Sequence, residues 1–408
     1  MGRWSYPRSR IRVLLLEGVH PLAVRRLTDE GYSVEVRDGA LDEAALIEAV
    51  RGVHVLGVRS KSEVSARVIE AADRLLAVGA FCIGVNQIDL EACRRRGIAV
   101  FNAPHSNTRS VVELAIGHII ALSRGVIDHD RRMKSGLWQK SASGAHEVRG
   151  KTLGIVGYGA IGTQLSVLAE TLGMSVVFHD LVERLALGNA WRARTLDEVL
   201  RVSDVVSLHV DGRASNAHLI GAREITAMKR GAALINLSRG HVLDLDAAAE
   251  ALRSGQLSGL ALDVYPHEPA ANGPGFECPL AGLANVILTP HIGGSTEEAQ
   301  AAIADFAAER LLAYLGRGDT TFCVNLPNVQ LAEVSGAHRI LHIHENRPGV
   351  LADLNRALSE AGLNILGQHL KTLDDVGYVI TDVDADYDPA HMRRLKDNPA
   401  TLRFRLLY

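Results

Sequence analysis

Between Thr152 and Asp180 the chain reads Thr-Leu-Gly-Ile-Val-Gly-Tyr-Gly-Ala-Ile-Gly. A helical run over Thr163 to Leu172 follows, then a second apolar strand over Met174 to Phe178, and an acid. Few sequences constrain a fold as tightly. Gly157 permits a tight strand-to-helix turn, Gly159 lets main chain approach a pyrophosphate, and Gly162 lets helix and strand pack closely. Main-chain N–H groups at the helix start then face the phosphates. Asp180 stands 18 residues after Gly162, where a carboxylate accepts hydrogen bonds from an adenosine ribose and repels a 2′-phosphate. The pattern therefore predicts a Rossmann unit that takes NAD rather than NADP; a plain glycine turn leaves Asp180 unexplained.

The 408 residues have room for two or three domains. A net charge of −3 with scattered basic residues argues against a nucleic-acid surface, and 4% aromatic residues argue against stacking platforms. The apolar run near the N-terminus is too short for a signal peptide, and no segment is long enough to span a membrane. Cys82, Cys93, Cys278 and Cys323 show no metal or CxxC spacing. They read as reduced, buried thiols of a cytoplasmic protein, with no metal site.

Strand and helix alternate through the first hundred residues. Candidate strands are 11–18, 33–37, 54–59, 75–80 and 99–102, with helices at 21–30, 41–51 and 90–96 between them, which implies a small doubly wound parallel sheet. A long helical pattern from Arg109 to about Gly136 reads as a connecting helix. The nucleotide unit continues through strands at 204–209, 232–237, 257–264 and 285–289, and a second long helix runs over 297–315. The two helices suggest that the chain leaves a first domain and returns to it: 1–106 with 295–326 form one discontinuous domain, and 107–294 form the nucleotide domain. Asn325-Leu326-Pro327-Asn328 reads as a linker. Residues 337–408 follow the order βαββαβ, the ferredoxin-like split motif, with a second helix expected at 389–396. Regulation or oligomer contact fits a module of that size better than a purely structural tail.

Three polar residues follow the carboxyl ends of predicted Rossmann strands, the edge where ligands gather in open α/β sheets. They are Arg239 in Leu-Ser-Arg-Gly, Glu268 in Tyr-Pro-His-Glu-Pro, and His291 in Thr-Pro-His-Ile-Gly-Gly. Hydride transfer between a 2-hydroxy acid and a nicotinamide needs a base, a cation for the carboxylate, and a tuned base pKa. Histidine titrates near neutrality, arginine offers a charged planar fork, and a carboxylate beside imidazole favours its protonated form. One such residue alone reads as a surface charge or a satisfied core histidine; three at one sheet edge do not.

With these residues in place the chain resembles the D-isomer-specific 2-hydroxyacid dehydrogenases, in the shorter bacterial form that carries a C-terminal ACT domain. The resemblance covers nearly the whole chain. It rests on Leu-Glu-Gly-Val-His (16–20), Phe-Cys-Ile-Gly-Val-Asn-Gln (81–87), Phe-Asn-Ala-Pro (101–104) and Ser-Asn-Thr-Arg-Ser-Val (106–111). Gly-Tyr-Gly-Ala-Ile-Gly-Thr-Gln (157–164), the three segments above and His-Ile-His-Glu-Asn-Arg-Pro-Gly-Val-Leu (342–351) complete it. It implies an α/β protein in which a Rossmann domain is inserted in a flavodoxin-like substrate domain, followed by the ACT domain. It implies catalysis by His291 and Glu268 with Arg239 on the substrate. NAD contacts are implied from Ala160, Ile161, Asp180, Leu237, Ser238, Arg239, Asp263 and the loop His291, Ile292, Gly293 and Gly294. Arg59 and Lys61 are candidates for a substrate phosphate, with Asn107 near the substrate and Lys140, beside Trp138, contributing from a neighbouring subunit. The implied reaction is oxidation of D-3-phosphoglycerate in a homotetramer, with L-serine as effector at His344, Asn346 and Asn364, where ACT domains pair edge to edge.

Some positions depart from the family pattern. Lys61 stands where a second arginine is expected, and His105 where a Phe is expected. The loop 211–216, expected on the adenosine side, lacks the usual proline after His-Val. Another 2-oxo acid (2-oxoglutarate, hydroxypyruvate or glyoxylate) is the alternative substrate. A NAD-sensing corepressor and a metabolite sensor dominated by the ACT domain are alternatives of a different class.

Overall fold

The computed structural model describes residues 6–269, 272–332, 336–384 and 396–407. The chain forms two compact units, one of Met1–Ser106 with Gln300–Tyr408 and the other of Asn107–Ala299. In the first unit, β1 (Arg12–Leu15), β2 (Ser33–Val36), β3 (Val55–Val58), β4 (Ala77–Ala80) and β5 (Ala99–Phe101) form a parallel sheet of order β2-β1-β3-β4-β5. That is the flavodoxin-like order. Its strands are apolar on both faces because helices cover both. Val13, Leu15, Ala99 and Phe101 pack with the helices Pro21–Asp29 and Glu297–Arg317, while Leu14, Leu56, Val58 and Val100 pack with the helices Glu43–Ala49, Ala66–Ala71 and Leu90–Arg95. A Cβ on Gly79 would lie 2.9 Å from Leu311, so glycine there lets the long helix approach the sheet.

The second unit holds β6 (Thr152–Val156), β7 (Ser175–His179), β8 (Trp191–Arg192), β9 (Val205–Leu208), β10 (Ala232–Asn236), β11 (Leu257–Leu262) and β12 (Val286–Leu288). All pairs are parallel and the order is β12-β11-β10-β9-β6-β7-β8. This is the doubly wound dinucleotide order with one added edge strand. The two-residue β8 has no counterpart in the sequence expectation, and the helix after β6 begins at Ala160 rather than Thr163.

The segment expected as one connecting helix differs in two ways. It is two helices, Thr108–Arg124 and Val126–Lys134, bent by 68° at Gly125, whose φ of +59° ends the first helix in the left-handed region. The first of them is a sheet helix: Val111, Val112, Ala115, Ile119 and Leu122 are buried with Ile155, Ile235 and Ala261. Among the described residues no single helix is long and apolar enough to cross a membrane.

The last four strands are β13 (His338–Glu345), β14 (Ile365–Leu373), β15 (Val376–Val383) and β16 (Thr401–Leu407). They form an antiparallel sheet of order β14-β15-β13-β16, with the helix Val350–Glu360 between β13 and β14. The helix expected at 389–396 lies almost wholly outside the described residues. The four residues read as a linker are instead part of the packed unit. Leu326 is fully buried, and the Asn325 amide accepts from Val100 N–H at 2.9 Å and donates to the Ile98 carbonyl at 2.8 Å, extending the edge at β5. The C-terminal sheet is docked as well: Leu341, Ile343, Tyr378 and Ile380 join Leu311 and Tyr314 in one core, and Tyr378 Oη donates to the Gly318 carbonyl at 2.6 Å.

Arg339 anchors that docking. Its guanidinium forms a bidentate pair with buried Asp382 at 2.7 and 2.8 Å and donates to the carbonyls of Arg317, Leu331 and Ala332. Removing one partner of a buried pair leaves the other charge uncompensated, which costs about 3–5 kcal/mol. Urea unfolding of Arg339→Met should show a loss of that order, and adding Asp382→Leu should recover much of it. Equal stability of the single variant and the wild type would show that the pair anchors nothing.

Candidate active site

Gly157 follows β6 with φ +93°, and a Cβ there would lie 2.6 Å from the His209 carbonyl oxygen. A Cβ on Gly162 would stand 2.4 Å from the Gly157 carbonyl oxygen, so helix and turn touch main chain to main chain. Gly159 differs from both: nothing lies within 4 Å of the position a Cβ would take. The open side of the turn is therefore main chain only. Gly159 caps the helix Ala160–Thr171, leaving the first N–H groups, those of Ala160 and Ile161 included, without intrahelical partners. Asp180 follows β7, and its carboxylate accepts from Tyr158 N–H at 2.8 Å and Val182 N–H at 2.9 Å. Acid and glycine turn are thus joined directly. An open main-chain cradle at a helix start, with a carboxylate at the next strand end, fits a dinucleotide with a free ribose 2′-hydroxyl.

Arg239, Glu268 and His291 follow β10, β11 and β12, three neighbouring strands. Asn236 shapes the first turn. Its fully buried amide oxygen accepts from Ser238 N–H at 3.0 Å and Ser238 Oγ at 2.7 Å, while its nitrogen donates to the Arg239 carbonyl at 3.0 Å. Leu237 is buried beside it. At Gly240 a Cβ would stand 1.9 Å from the Tyr265 carbonyl carbon, so only glycine lets the Arg239 turn close against the segment carrying Glu268.

Glu268 accepts from Tyr265 N–H through Oε1 at 3.1 Å, and its Oε2 lies 2.7 Å from His291 Nδ1. Asp263, 1% exposed, holds the histidine loop: it accepts from Thr289 Oγ1 at 2.6 Å, Ile292 N–H at 2.8 Å and Gly293 N–H at 2.7 Å. Gly294 packs against Asn107, where a Cβ would meet the amide nitrogen at 2.2 Å. His291 itself has φ +55°, a left-handed conformation uncommon outside glycine and sustained by these surrounding bonds.

The electrostatics follow the geometry. The hydrogen bond to Glu268 raises the His291 pKa above its ordinary value against the opposing effect of burial. Burial pushes the Glu268 carboxyl up, but the bonds from His291 and Tyr265 N–H outweigh it and leave the carboxyl below its usual range. Because Nδ1 faces Glu268, Nε2 remains free to exchange a proton.

Lys140 and Trp138 are exposed. The loop 211–216 packs beside the arginine rather than only beside the adenosine turn: a Cβ on Gly212 would lie 3.3 Å from Arg239 Nε. In the first unit, Arg59 and Lys61 follow β3. Glu17, 8% exposed and left-handed at φ +63°, accepts from Arg59 N–H at 3.2 Å, Lys61 N–H at 3.0 Å and Ser62 N–H at 2.8 Å. Gln300 accepts from the Arg59 guanidinium at 2.8 Å. Neither Glu17 nor Gln300 was expected from sequence, and the same holds for Asn236. The signal for Glu17 was a lone acid at a strand end within Leu-Glu-Gly-Val-His.

In the C-terminal sheet, His344 is buried, with Nδ1 2.8 Å from the Glu345 carbonyl oxygen and Nε2 without a partner among the described residues. Asn346 donates to the Asp374 carbonyl at 2.9 Å, at the β14–β15 turn. Asn364 accepts through its carbonyl from Asp384 N–H at 3.2 Å, at the other end of the same hairpin. Glu345 pairs with Val376 and His338 with Val383, so the two asparagines are separated by roughly 24 Å of strand. One chain does not gather the three residues into one pocket.

The chain is similar to known proteins along its whole length. A family model described as the NAD-binding domain of D-isomer specific 2-hydroxyacid dehydrogenases matches residues 116–293, and one described as an AHAS small subunit-like ACT domain matches residues 340–395. The D-3-phosphoglycerate dehydrogenase of Escherichia coli strain K12 is 49% identical over 411 residues, covering 100% of both chains. That of Haemophilus influenzae is 49% identical over 405 residues, covering 99% of each. A D-lactate dehydrogenase from Aquifex aeolicus, solved with NAD and lactic acid, superposes with a TM-score of 0.67 at 28% identity, over 78% of this chain and 100% of its own.

The pKa of His291 is open to direct measurement. In a proton-NMR titration, Glu268→Gln should lower the His291 midpoint relative to wild type, because the variant removes the charge that favours imidazolium. An unchanged midpoint would show that Glu268 does not tune this histidine.

Proposed function

The chain belongs to the D-isomer-specific 2-hydroxyacid dehydrogenases, and from that membership we propose that it oxidises D-3-phosphoglycerate to 3-phosphohydroxypyruvate with NAD, the entry to serine synthesis. The observation that carries the chemistry is the 2.7 Å His291–Glu268 pair beside Arg239. Full-length identity to relatives named for phosphoglycerate supports the substrate. On this reading residues 1–106 with 295–326 bind substrate, 107–294 bind NAD, and 337–408 regulate.

Bound NAD supplies the acceptor for the hydride that leaves C2 of the substrate. Gly157, Gly159, Ala160, Ile161 and Gly162 would present main chain to its pyrophosphate, and Asp180 would accept from its ribose. Leu237, Ser238, Asp263 and the loop from His291 to Gly294 would hold the nicotinamide side. Arg239 binds the substrate carboxylate and the C2 oxygen through its planar fork. His291 takes the hydroxyl proton at Nε2, and Glu268 stabilises the resulting imidazolium through Nδ1. In the reverse direction the same imidazolium returns the proton.

Arg59 and Lys61 hold the substrate phosphate in this proposal, Arg59 as a fork and Lys61 as a point charge. Glu17 positions both by holding the main chain between them. Arg59→Gln should raise KM for 3-phosphohydroxypyruvate by about tenfold or more, and far more than for unphosphorylated 2-oxoglutarate. Glu17→Gln should act in the same direction. Oxidation of NADH, followed by absorbance, reads both. Equal effects on the two substrates would point to a folding role. Wild-type turnover of 2-oxoglutarate but not of the phosphorylated acid would favour the alternative substrate, and no turnover of any 2-oxo acid would favour a sensing protein.

We further propose that a cytoplasmic homotetramer forms, that Lys140 and Asn107 assist substrate binding, and that L-serine binds where two C-terminal sheets meet. The separation of Asn346 from Asn364 supports a site shared between copies, with His344 and Asn346 from one and Asn364 from the other. Strand β14 is partly exposed and lies at the sheet edge, as such pairing needs. Calorimetric titration with L-serine should show binding and reduced activity in the wild type, both weakened in Asn364→Ala. Absence of binding in the wild type would remove serine as effector.

A further inference from the structure

The first unit holds a cavity of about 480 Å³ that the reaction does not use. Four of its lining residues, Arg8, Arg74, Arg403 and Arg405, are cationic, and Tyr32 and His54 supply flat walls. It lies at the amino ends of β1, β3 and β4, where Ile11, His54 and Leu76 precede the strands, and against edge strand β16. Arg59 and Lys61 stand at the opposite, carboxyl end of β3.

The cavity's charge is only partly compensated. Arg8 pairs with Glu30 at 2.5 Å, and Arg74 approaches Asp73 at 3.9 Å. Arg403 and Arg405 have no carboxylate within ion-pair distance among the described residues. Arg405 donates to the carbonyls of Tyr314 and Leu315 at 3.3 and 2.9 Å and lies over the Tyr314 ring. Arg403 donates to the Arg96 carbonyl at 3.0 Å, while its buried Nε has no hydrogen-bond partner among the described residues. These arginines cap helix ends, but carbonyl dipoles carry only a fraction of a charge, about half a unit per helix. Burial and the nearby charges of Arg96 and Arg405 disfavour the Arg403 cation. A guanidinium in that setting calls for a counter-anion.

We propose that this cavity binds a small multivalent anion, either a phosphomonoester or a polycarboxylate, bridging the first sheet and the C-terminal sheet through Arg74, Arg403 and Arg405. Binding there stabilises the docking of the C-terminal sheet. The inference is independent of the substrate assigned above.

The test is calorimetric titration of the full chain with inorganic phosphate and, separately, with citrate, at ionic strength held constant with NaCl. At least one anion should bind saturably and raise the melting temperature beyond the NaCl control. Affinity should fall about tenfold or more in Arg74→Glu and in Arg403→Met, and persist in Arg59→Gln. Citrate alone identifies a polycarboxylate site; phosphate, alone or with citrate, identifies a phosphate-accepting one. Arg74 is largely exposed, so its variant decides the matter if Arg403→Met fails to fold. No saturable binding of either anion, unaltered affinity in Arg74→Glu, or loss of binding in Arg59→Gln alone would overturn the proposal.

Discussion

The buried carboxylate of Asp263 fixes the geometry on which the chemistry depends. It sits just past β11 and takes three hydrogen bonds from the segment after β12, from the Thr289 hydroxyl and the Ile292 and Gly293 N–H groups. Main-chain donors of a tight loop cannot be satisfied by neighbouring strands, and a buried carboxylate needs several donors at once. Each solves the other's problem. The bonded loop then carries His291 in a left-handed conformation that an unsupported histidine would rarely keep. Glu268, tied by Tyr265 N–H five residues beyond Asp263, meets the imidazole from the same strand end. The pair thus inherits its spacing from two adjacent parallel strands.

Glu17 does in the first unit what Asp263 does in the second. A buried carboxylate takes three main-chain N–H groups from a loop after a parallel strand, and basic side chains project from that loop. In both places the anion bonds main-chain N–H groups of the loop. Gln300 adds a second hold on Arg59 from the start of the helix Glu297–Arg317. That helix packs with the first sheet and, through Leu311 and Tyr314, with the C-terminal sheet.

The features legible in the sequence are those whose cause is local. Gly157, Gly159 and Gly162 each answer a constraint within a few residues, and the parallel sheets follow from alternating strand and helix. Glu268 and His291 could be placed at one sheet edge because parallel strands end together. Partners distant in the chain were not legible: the donors to Glu17 lie 42 to 45 residues away, and main-chain N–H groups leave no mark in sequence. The break at Gly125 was hidden because apolar helical spacing approaches it unbroken from Val112 to Leu122. Docking of the C-terminal sheet was hidden for a related reason. Apart from Arg339 and Glu345, β13 is apolar or histidine, and it is buried from Arg339 to His344, which a free-standing module with one helical layer does not need. Burial of Leu341 and Ile343 against Tyr314 accounts for the second face.

The charges around His291 work against one another by necessity. Arg239 has to lie near the imidazole if one substrate is to touch both, and its positive charge lowers the histidine's pKa. Burial lowers it too, so a histidine placed for hydride chemistry in such a site would lose the proton affinity that makes it a base. The hydrogen bond and charge of Glu268, with the more distant charge of Asp263, outweigh both effects. Asp263 therefore serves twice, holding the loop through its oxygens and supporting the imidazolium through its field. The same balance explains why Glu268 stays ionised despite burial, since the histidine it supports returns the favour. Arg239, Glu268, His291 and Asp263 form one electrostatic unit, in which altering any member shifts the proton affinity of the base.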